Sequence, residues 1–212
     1  MDKKSALAVT ILAAIIIIFG ILWIVFYVGS LSDKYTVFEV DDEHDDARTF
    51  TVELNDQGYE NEDGAWAFLQ LSPSYNFGVR FNNISIPQGA KIKDAFVQLY
   101  AIGGPGLNYP NCNIYCDNAD NASNFTDTIG VLNISYRNYT TNYVVWNATI
   151  EYNRWINTTS ITAVVQEIIN RENWSSGNSI AVLFVSNGFR YYSATFKNYE
   201  SGYPAKLYVK WE

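Results

Sequence analysis

Eight Asn-x-Ser/Thr triplets occur in the chain, at Asn83, Asn121, Asn124, Asn133, Asn138, Asn147, Asn157 and Asn173. The sequence holds 22 Asn, and chance placement at this Ser and Thr content would give about three such triplets. The excess points to N-linked glycans. That chemistry requires an extracytoplasmic face. The plainer alternative is that Asn and Thr are abundant in turns and strands.

Two acidic segments could hold a hard cation. Asp41-Asp42-Glu43-His44-Asp45-Asp46 is one, and Asp117 and Asp120 with Asn118 and Asn121 form the other. Oxygen ligands at short spacing suit calcium, which takes six to eight of them. Asp41, Asp42, Asp45, Asp46, Asp117 and Asp120 are therefore the candidate ligands, against the simpler reading of solvated acidic loops. No EF-hand spacing is present. His44 is the single histidine, which excludes a His-rich transition-metal centre. It also leaves Ser-His-Asp or Cys-His catalysis only a residue inside an acidic loop. No G-x-S-x-G, phosphate-binding loop or H-E-x-x-H motif occurs, so no catalytic residue and no enzyme is expected. Cys112 and Cys116 are the two cysteines. An oxidising compartment favours a disulfide between them. In one extended strand their Cα atoms would stand about 13 Å apart, beyond bridging range. A bridge needs a turn or bulge; otherwise the thiols are free or bond another chain. Tyr59, Trp66, Tyr75, Tyr109, Tyr191 and Tyr192 fall near loops or strand ends, where rings could stack on sugars. Packing over the core is the alternative for each.

These groups need a scaffold, and the N-terminus indicates where it sits. Ala6 to Val28 is an uncharged run that as a helix spans about 35 Å, against a hydrocarbon core of about 30 Å. Lys3 and Lys4 precede it, so the positive-inside tendency keeps residues 1–5 cytoplasmic and sends the remainder outside. Trp23 and Tyr27 suit the outer interface. A cleaved secretory signal is the alternative, but its apolar stretch is usually shorter and ends in a small-x-small site. Lys3-Lys4-Ser5 before an apolar helix also resembles the processing site of archaeal type IV pilin-like precursors, cut after Ser5. The expected organisation is a transmembrane helix over 6–28, a linker over 29–34 and an extracellular domain over 35–212. The first four residues contribute +1 to a net charge of −8, leaving −9 on the rest. Such a body repels phosphate backbones and shows no Lys/Arg stripe, so no nucleic-acid partner is expected.

The domain reads as all-β. Aromatic residues make up 16% of the chain, beside many Val and Thr, and these favour strands. Strands are expected at 35–40, 48–54, 65–71, 77–81, 92–101, 113–116, 180–185, 191–196 and 207–211. Residues 131–145 stay ambiguous. In 92–101, Ala95, Val97 and Leu99 share one face and Phe96, Gln98 and Tyr100 the other. Leu207, Val209 and Trp211 likewise point inward. Ser160 to Arg171 is the exception: Ile161, Val164, Val165, Ile168 and Ile169 follow helical spacing, with Ser160 as N-cap and Gly177 beyond the end. About ten strands and one helix in this length suit a jelly-roll-like β-sandwich with one short amphipathic helix.

Several segments resemble a known family. Phe77-Gly78-Val79-Arg80-Phe81, Ile86-Pro87-Gln88-Gly89-Ala90-Lys91-Ile92 and Ala95-Phe96-Val97-Gln98 are similar to the "G-x-R-F … I-P-x-G-A-x-I-x-x-A" signature of secreted DNRLRE-type, carbohydrate-binding-module-like jelly rolls of microbial surface proteins. Asp117-Asn118-Ala119-Asp120-Asn121 with Phe125 follows in order, then Val145-Trp146-Asn147. The helix and turn Val165-Gln166-Glu167-Ile168-Ile169-Asn170-Arg171 with Trp174-Ser175-Ser176-Gly177-Asn178 come next. The likeness spans Val40 to Trp211. It implies extracellular display, adhesion or glycan binding, and supplies no catalytic residue. The expected protein is thus a membrane-anchored, non-enzymatic cell-surface glycoprotein of a prokaryote, an archaeon by its pilin-like start. It would serve adhesion, glycan binding or envelope structure. Its partners would be the membrane, extracellular glycans, other surface proteins or further copies of itself. N-linked glycans, and calcium if the acidic loops bind it, would be its only non-protein groups. The alternative is a pilin-like filament subunit with the apolar helix in the fibre core.

Overall fold

The structure, a computed structural model, describes residues 34–50, 69–72, 75–102, 109–125, 134, 137–188 and 194–212. The chain divides into two units, residues 1–35 and 36–212. The expected membrane helix lies outside the described residues. Among those described, no helix is long and apolar enough to cross a membrane.

The second unit is built from two antiparallel sheets and one short helix. Its strands are β1 (Thr36–Glu39), β2 (Asp46–Phe50), β3 (Leu69–Leu71), β4 (Tyr75–Phe81), β5 (Ile92–Ile102), β6 (Asn111–Cys116), β7 (Val144–Asn147) and β8 (Arg154–Asn157). Helix α1 (Thr162–Ile169) follows, then β9 (Ile180–Ser186), β10 (Ala194–Phe196) and β11 (Lys206–Trp211). One sheet runs β1-β11-β5-β10-β3, with β8 on the other edge of β5; the second runs β2-β4-β9-β6-β7.

Alternation decides which side chains meet between the sheets. Ala95, Val97, Leu99 and Ala101 of β5 are fully buried, as are Leu207 and Val209 of β11. They face Phe77, Val79, Phe81, Ile114, Val182 and Phe184 of the second sheet in one core. Aromatic rings bridge the layers: Phe77 lies 5.6 Å from Phe196, and Trp146 lies 5.8 Å from the same ring. Trp211 is only half-buried because the β5–β11 register shifts at Lys210/Trp211.

A smaller second core covers the outer face of the second sheet. Ala122, Phe125 and Ile134 pack there on Ala181 and Leu183. Gly78 makes the space: a Cβ on it would stand 2.6 Å from the Phe125 ring. This explains a glycine mid-strand, where it otherwise weakens the element.

Helix α1 buries Val164, Val165, Ile168 and Ile169, the apolar spacing expected. Ser160 does not cap it; Ile161 is the N-cap residue and makes no side-chain cap bond. The Ser160 hydroxyl instead donates to Asp94 Oδ1 at 2.7 Å. The reason is that the helix start is sewn to the edge of β5. Ile161 N–H donates to Ala95 O (2.7 Å) and Thr158 N–H to Val97 O (2.9 Å). In return Val97 N–H donates to Thr158 Oγ1 (3.1 Å), Ala95 N–H to Thr162 Oγ1 (3.1 Å) and Ile92 N–H to Gln166 Oε1 (2.8 Å). Thr158 ahead of the helix and Thr162 and Gln166 within it, spaced four residues apart, thus supply acceptors that close a sheet edge. At the other end Gln88 Nε2 donates to the Arg171 and Glu172 carbonyls, and Gly89 N–H to that of Ile169. Gly89 holds φ +70° in that turn, a conformation glycine adopts without strain.

Strand β8 was not expected from the sequence, and within 131–145 the described strand begins only at Val144. Asp46, placed by sequence in the acidic loop, opens β2.

Candidate functional site

The outer face of the first sheet gathers aromatic side chains. Register places Trp155 and Asn157 of β8 beside Tyr100 and Gln98 of β5, and Lys206 and Tyr208 of β11 beside Gln98 and Phe96. Tyr203, from the loop between β10 and β11, completes the group. Tyr100 lies 4.3 Å from Tyr203 and 5.5 Å, edge-on, from Trp155; Trp155 and Tyr203 are 6.1 Å apart. Phe96 stacks on Tyr208 at 4.9 Å. Lys197 Nζ sits 4.2 Å from the Tyr203 ring centre and Lys206 Nζ 5.0 Å from that of Trp155. These are cation–π distances. Gln98 Nε2 donates to Asn157 Oδ1 at 3.0 Å, and Tyr208 Oη donates to Gln98 Oε1 at 3.2 Å. The rings are half-buried against one another. Rings rimmed by amides and ammonium groups form a surface on which the C–H face of a pyranose can stack while its hydroxyls are hydrogen-bonded.

This cluster differs from the aromatics singled out by sequence. Tyr109 is exposed, and Tyr75 is half-buried in β4 with the Arg48 guanidinium 5.4 Å from its ring centre. Tyr59, Trp66, Tyr191 and Tyr192 lie outside the described residues. One row of the cluster was legible: Phe96, Gln98 and Tyr100 alternate with buried residues. Trp155 was hidden because its strand is four residues long and has no apolar alternation around it.

The sequons spread over the domain. Asn83, Asn121, Asn138, Asn147, Asn157 and Asn173 are exposed and Asn124 is half-buried; Asn133 lies outside the described residues. They differ in how the fold uses them. Asn121 Oδ1 accepts the Ser179 N–H at 2.9 Å. Thr140, the hydroxyl residue of the Asn138 sequon, is buried and accepts the Cys116 N–H at 3.1 Å. Asn83 adopts φ 53° just after β4, a conformation Asn tolerates.

Each acidic segment is held by arginines. Arg80 Nη1 donates to Asp45 Oδ1 at 2.5 Å, its Nε to Ala122 O at 2.7 Å and its Nη2 to Ser179 Oγ at 3.0 Å. Asn82 Nδ2 donates to Asp45 Oδ2 and, at 2.8 Å, to Asp41 Oδ1. The Asp42 carboxylate accepts the His44 N–H at 2.8 Å. Arg137 Nη1 donates to Asp117 Oδ2 at 2.7 Å and to the Ser123 carbonyl at 3.0 Å, and its Nη2 to the Asn124 carbonyl at 2.9 Å. The same guanidinium lies 4.3 Å from the Phe125 ring centre. Arg171 Nε donates to Asp120 Oδ1 at 2.6 Å and its Nη1 to Asn118 Oδ1. Asp45, Asp117 and Asp120 therefore each already hold a cationic partner. Among the described residues no three His, Cys, Asp or Glu side chains converge as a metal site.

Burial sets the charge states here. It pushes the Asp45 carboxyl up, with Arg80 pulling the other way. It pushes Asp46 up to about 7, against a hydrogen bond from the Tyr199 N–H at 2.9 Å, with Glu200 and Asp45 adding repulsion. Burial also lowers the Arg137 pKa, opposed by Asp117. Glu167 goes the other way. Burial raises it, but the N–H groups of Asn142 and Thr141 outweigh that and hold it below the usual range.

Cys112 and Cys116 are unbridged and fully buried. Both occupy inward positions of the regular strand β6, with no turn or bulge between them, so of the alternatives the sequence left open the fold holds two free thiols. Burial pushes both thiols up, which keeps them protonated and unreactive. No protein-family model matches the chain, and no curated protein matches it.

Proposed function

We propose that the chain is a membrane-anchored, extracellular, non-enzymatic cell-surface protein whose body makes glycan contacts in adhesion or envelope structure. The observation that carries the glycan reading is the aromatic group of Tyr100, Trp155 and Tyr203 on an outer sheet face. Rings there are kept at the surface instead of being spent in the core. Exposure of most described sequon asparagines supports extracellular display. The strand orders support the jelly-roll reading. Within the first sheet β1-β11-β5-β8 are successive neighbours, and within the second β4-β9-β6-β7. These non-consecutive neighbours mean crossovers between the six-stranded and the five-stranded sheet, as Greek-key connections make. Pairing of Asp45, Asp117 and Asp120 with arginines supports a structural role for the acidic segments over a catalytic or calcium-binding one. Protease added to intact cells is expected to remove residues 35–212. Protection until lysis would overturn the orientation and the surface reading with it.

The alternative is a filament subunit, favoured by Lys3-Lys4-Ser5 standing directly before the apolar run Ala6–Val28. A mature N-terminus at Ala6 together with fibres in electron micrographs would select it. An intact Met1 on isolated particles would reject it.

A further inference from the structure

We propose that Asn157 is an N-glycosylation site whose first sugar packs on Trp155, so that the glycan at the aromatic face is the chain's own. The inference rests on the extracellular reading above and names the ligand of that face.

Trp155 and Asn157 are two residues apart in strand β8 and point to the same side of the sheet. Two residues of strand span about 6.5–7 Å, close to the width of a pyranose. A sugar joined to Asn157 Nδ2 and folded back along the strand therefore lands on the indole and the neighbouring Tyr100 ring, 5.5 Å from it. Gln98 Nε2 donates to Asn157 Oδ1 at 3.0 Å. That bond fixes the amide plane and leaves Nδ2, the atom that carries sugar, without a hydrogen bond among the described residues. Thr159, the hydroxyl residue of the sequon, is exposed. The sequons at Asn83, Asn121, Asn124, Asn147 and Asn173 have no aromatic ring exposed at the position that matches Trp155. Two residues before each stand Phe81, which is buried, Ala119, Ala122, Val145 and Arg171, and before Asn138 stands Tyr136, outside the described residues. Lys206 now covers the indole at 5.0 Å, but Glu39 lies 3.6 Å from its ammonium and can hold it when sugar takes the ring.

The modification is a group transfer from a lipid-phosphate-linked oligosaccharide. Asn157 Nδ2 forms a bond to the anomeric carbon and gives up one proton. The bond from that carbon to the phosphate oxygen breaks, and the lipid phosphate leaves with the electron pair. No oxidant or reductant is needed. The packed sugar removes apolar ring surface from water and so stabilises the sheet.

The test uses the full-length chain made in its own cells, as wild type, N157Q, W155A and the double variant. Glycopeptide mass spectrometry reads occupancy, and thermal unfolding before and after deglycosylation reads stability. The expected results are sugar on Asn157 and a melting point lowered by about 2–4 °C in N157Q. That shift should vanish after deglycosylation and in the W155A background. If W155A does not fold, W155L, which keeps apolar bulk without the ring, takes its place. Bare Asn157 beside occupied sequons elsewhere overturns this inference alone. Bare asparagines at every sequon overturn it together with the extracellular reading. An N157Q shift of equal size with or without the ring overturns the packing on Trp155.

Discussion

Asp46 shows what one buried carboxyl does in this fold. Its side chain is almost fully enclosed, and its hydrogen-bond donor is the Tyr199 backbone. Burial raises its pKa from 3.8 to about 7. The folded chain therefore keeps the proton where the unfolded chain has lost it. Stability from this group is full below about pH 4 and falls as pH rises to about 7. Replacement by Asn keeps an acceptor for Tyr199 and removes the titration. The D46N variant should match the native chain at pH 4 and exceed it above pH 7, by up to about 4 kcal/mol. Thermal melts across that range check this, and a gain independent of pH would refute it. Burial pushes the neighbouring Asp45 up as well, but there the Arg80 guanidinium at 2.5 Å opposes the shift. Adjacent acids in sequence looked equivalent as calcium ligands. Strand alternation and long-range partners make them distinct.

At the scale of elements, the junction of β5 and α1 carries the most non-obvious design. An edge strand normally leaves N–H groups open to pairing. Here Thr158, Thr162 and Gln166 accept three of them. Valine at 158 matches threonine in shape but strands the buried Val97 N–H. The T158V variant should lose about 1–3 kcal/mol and show faster hydrogen exchange at Val97 than at Leu207 across the strand. Unchanged stability would mean water replaces the hydroxyl without loss. The helix itself was legible, since five apolar residues at helical spacing need only local periodicity. Its start was not: Ser160 is a good cap by type, yet β5 offers its hydroxyl the Asp94 carboxylate and draws it away. β8 was missed for the same reason in reverse. Four residues with two polar ends carry too little pattern, and pairing with β5 supplies what propensity does not.

At the largest scale, the unit over 36–212 is two sheets closed on one core, with a second, smaller core on an outer face. Cys112 and Cys116 lie within the larger core on β6, between β9 and β7. Their alkylation should follow global unfolding, with both thiols silent to iodoacetamide in the native state and reacting together past the melting point. Modification of either at low temperature would show local opening of the second sheet. Residue order alone determined the all-β class, the inward rows of β5 and β11, the apolar face of α1 and the positions of the sequons. Each of these depends on neighbours two to four residues away, which any chain segment carries with it. Tertiary structure alone decided that Arg80 meets Asp45 across 35 residues and Arg171 meets Asp120 across 51. It also decided that Trp155, Tyr100 and Tyr203 share a face. Such meetings follow from which strands pair. Strand pairing is settled by the packing of the whole core, and no local pattern specifies it.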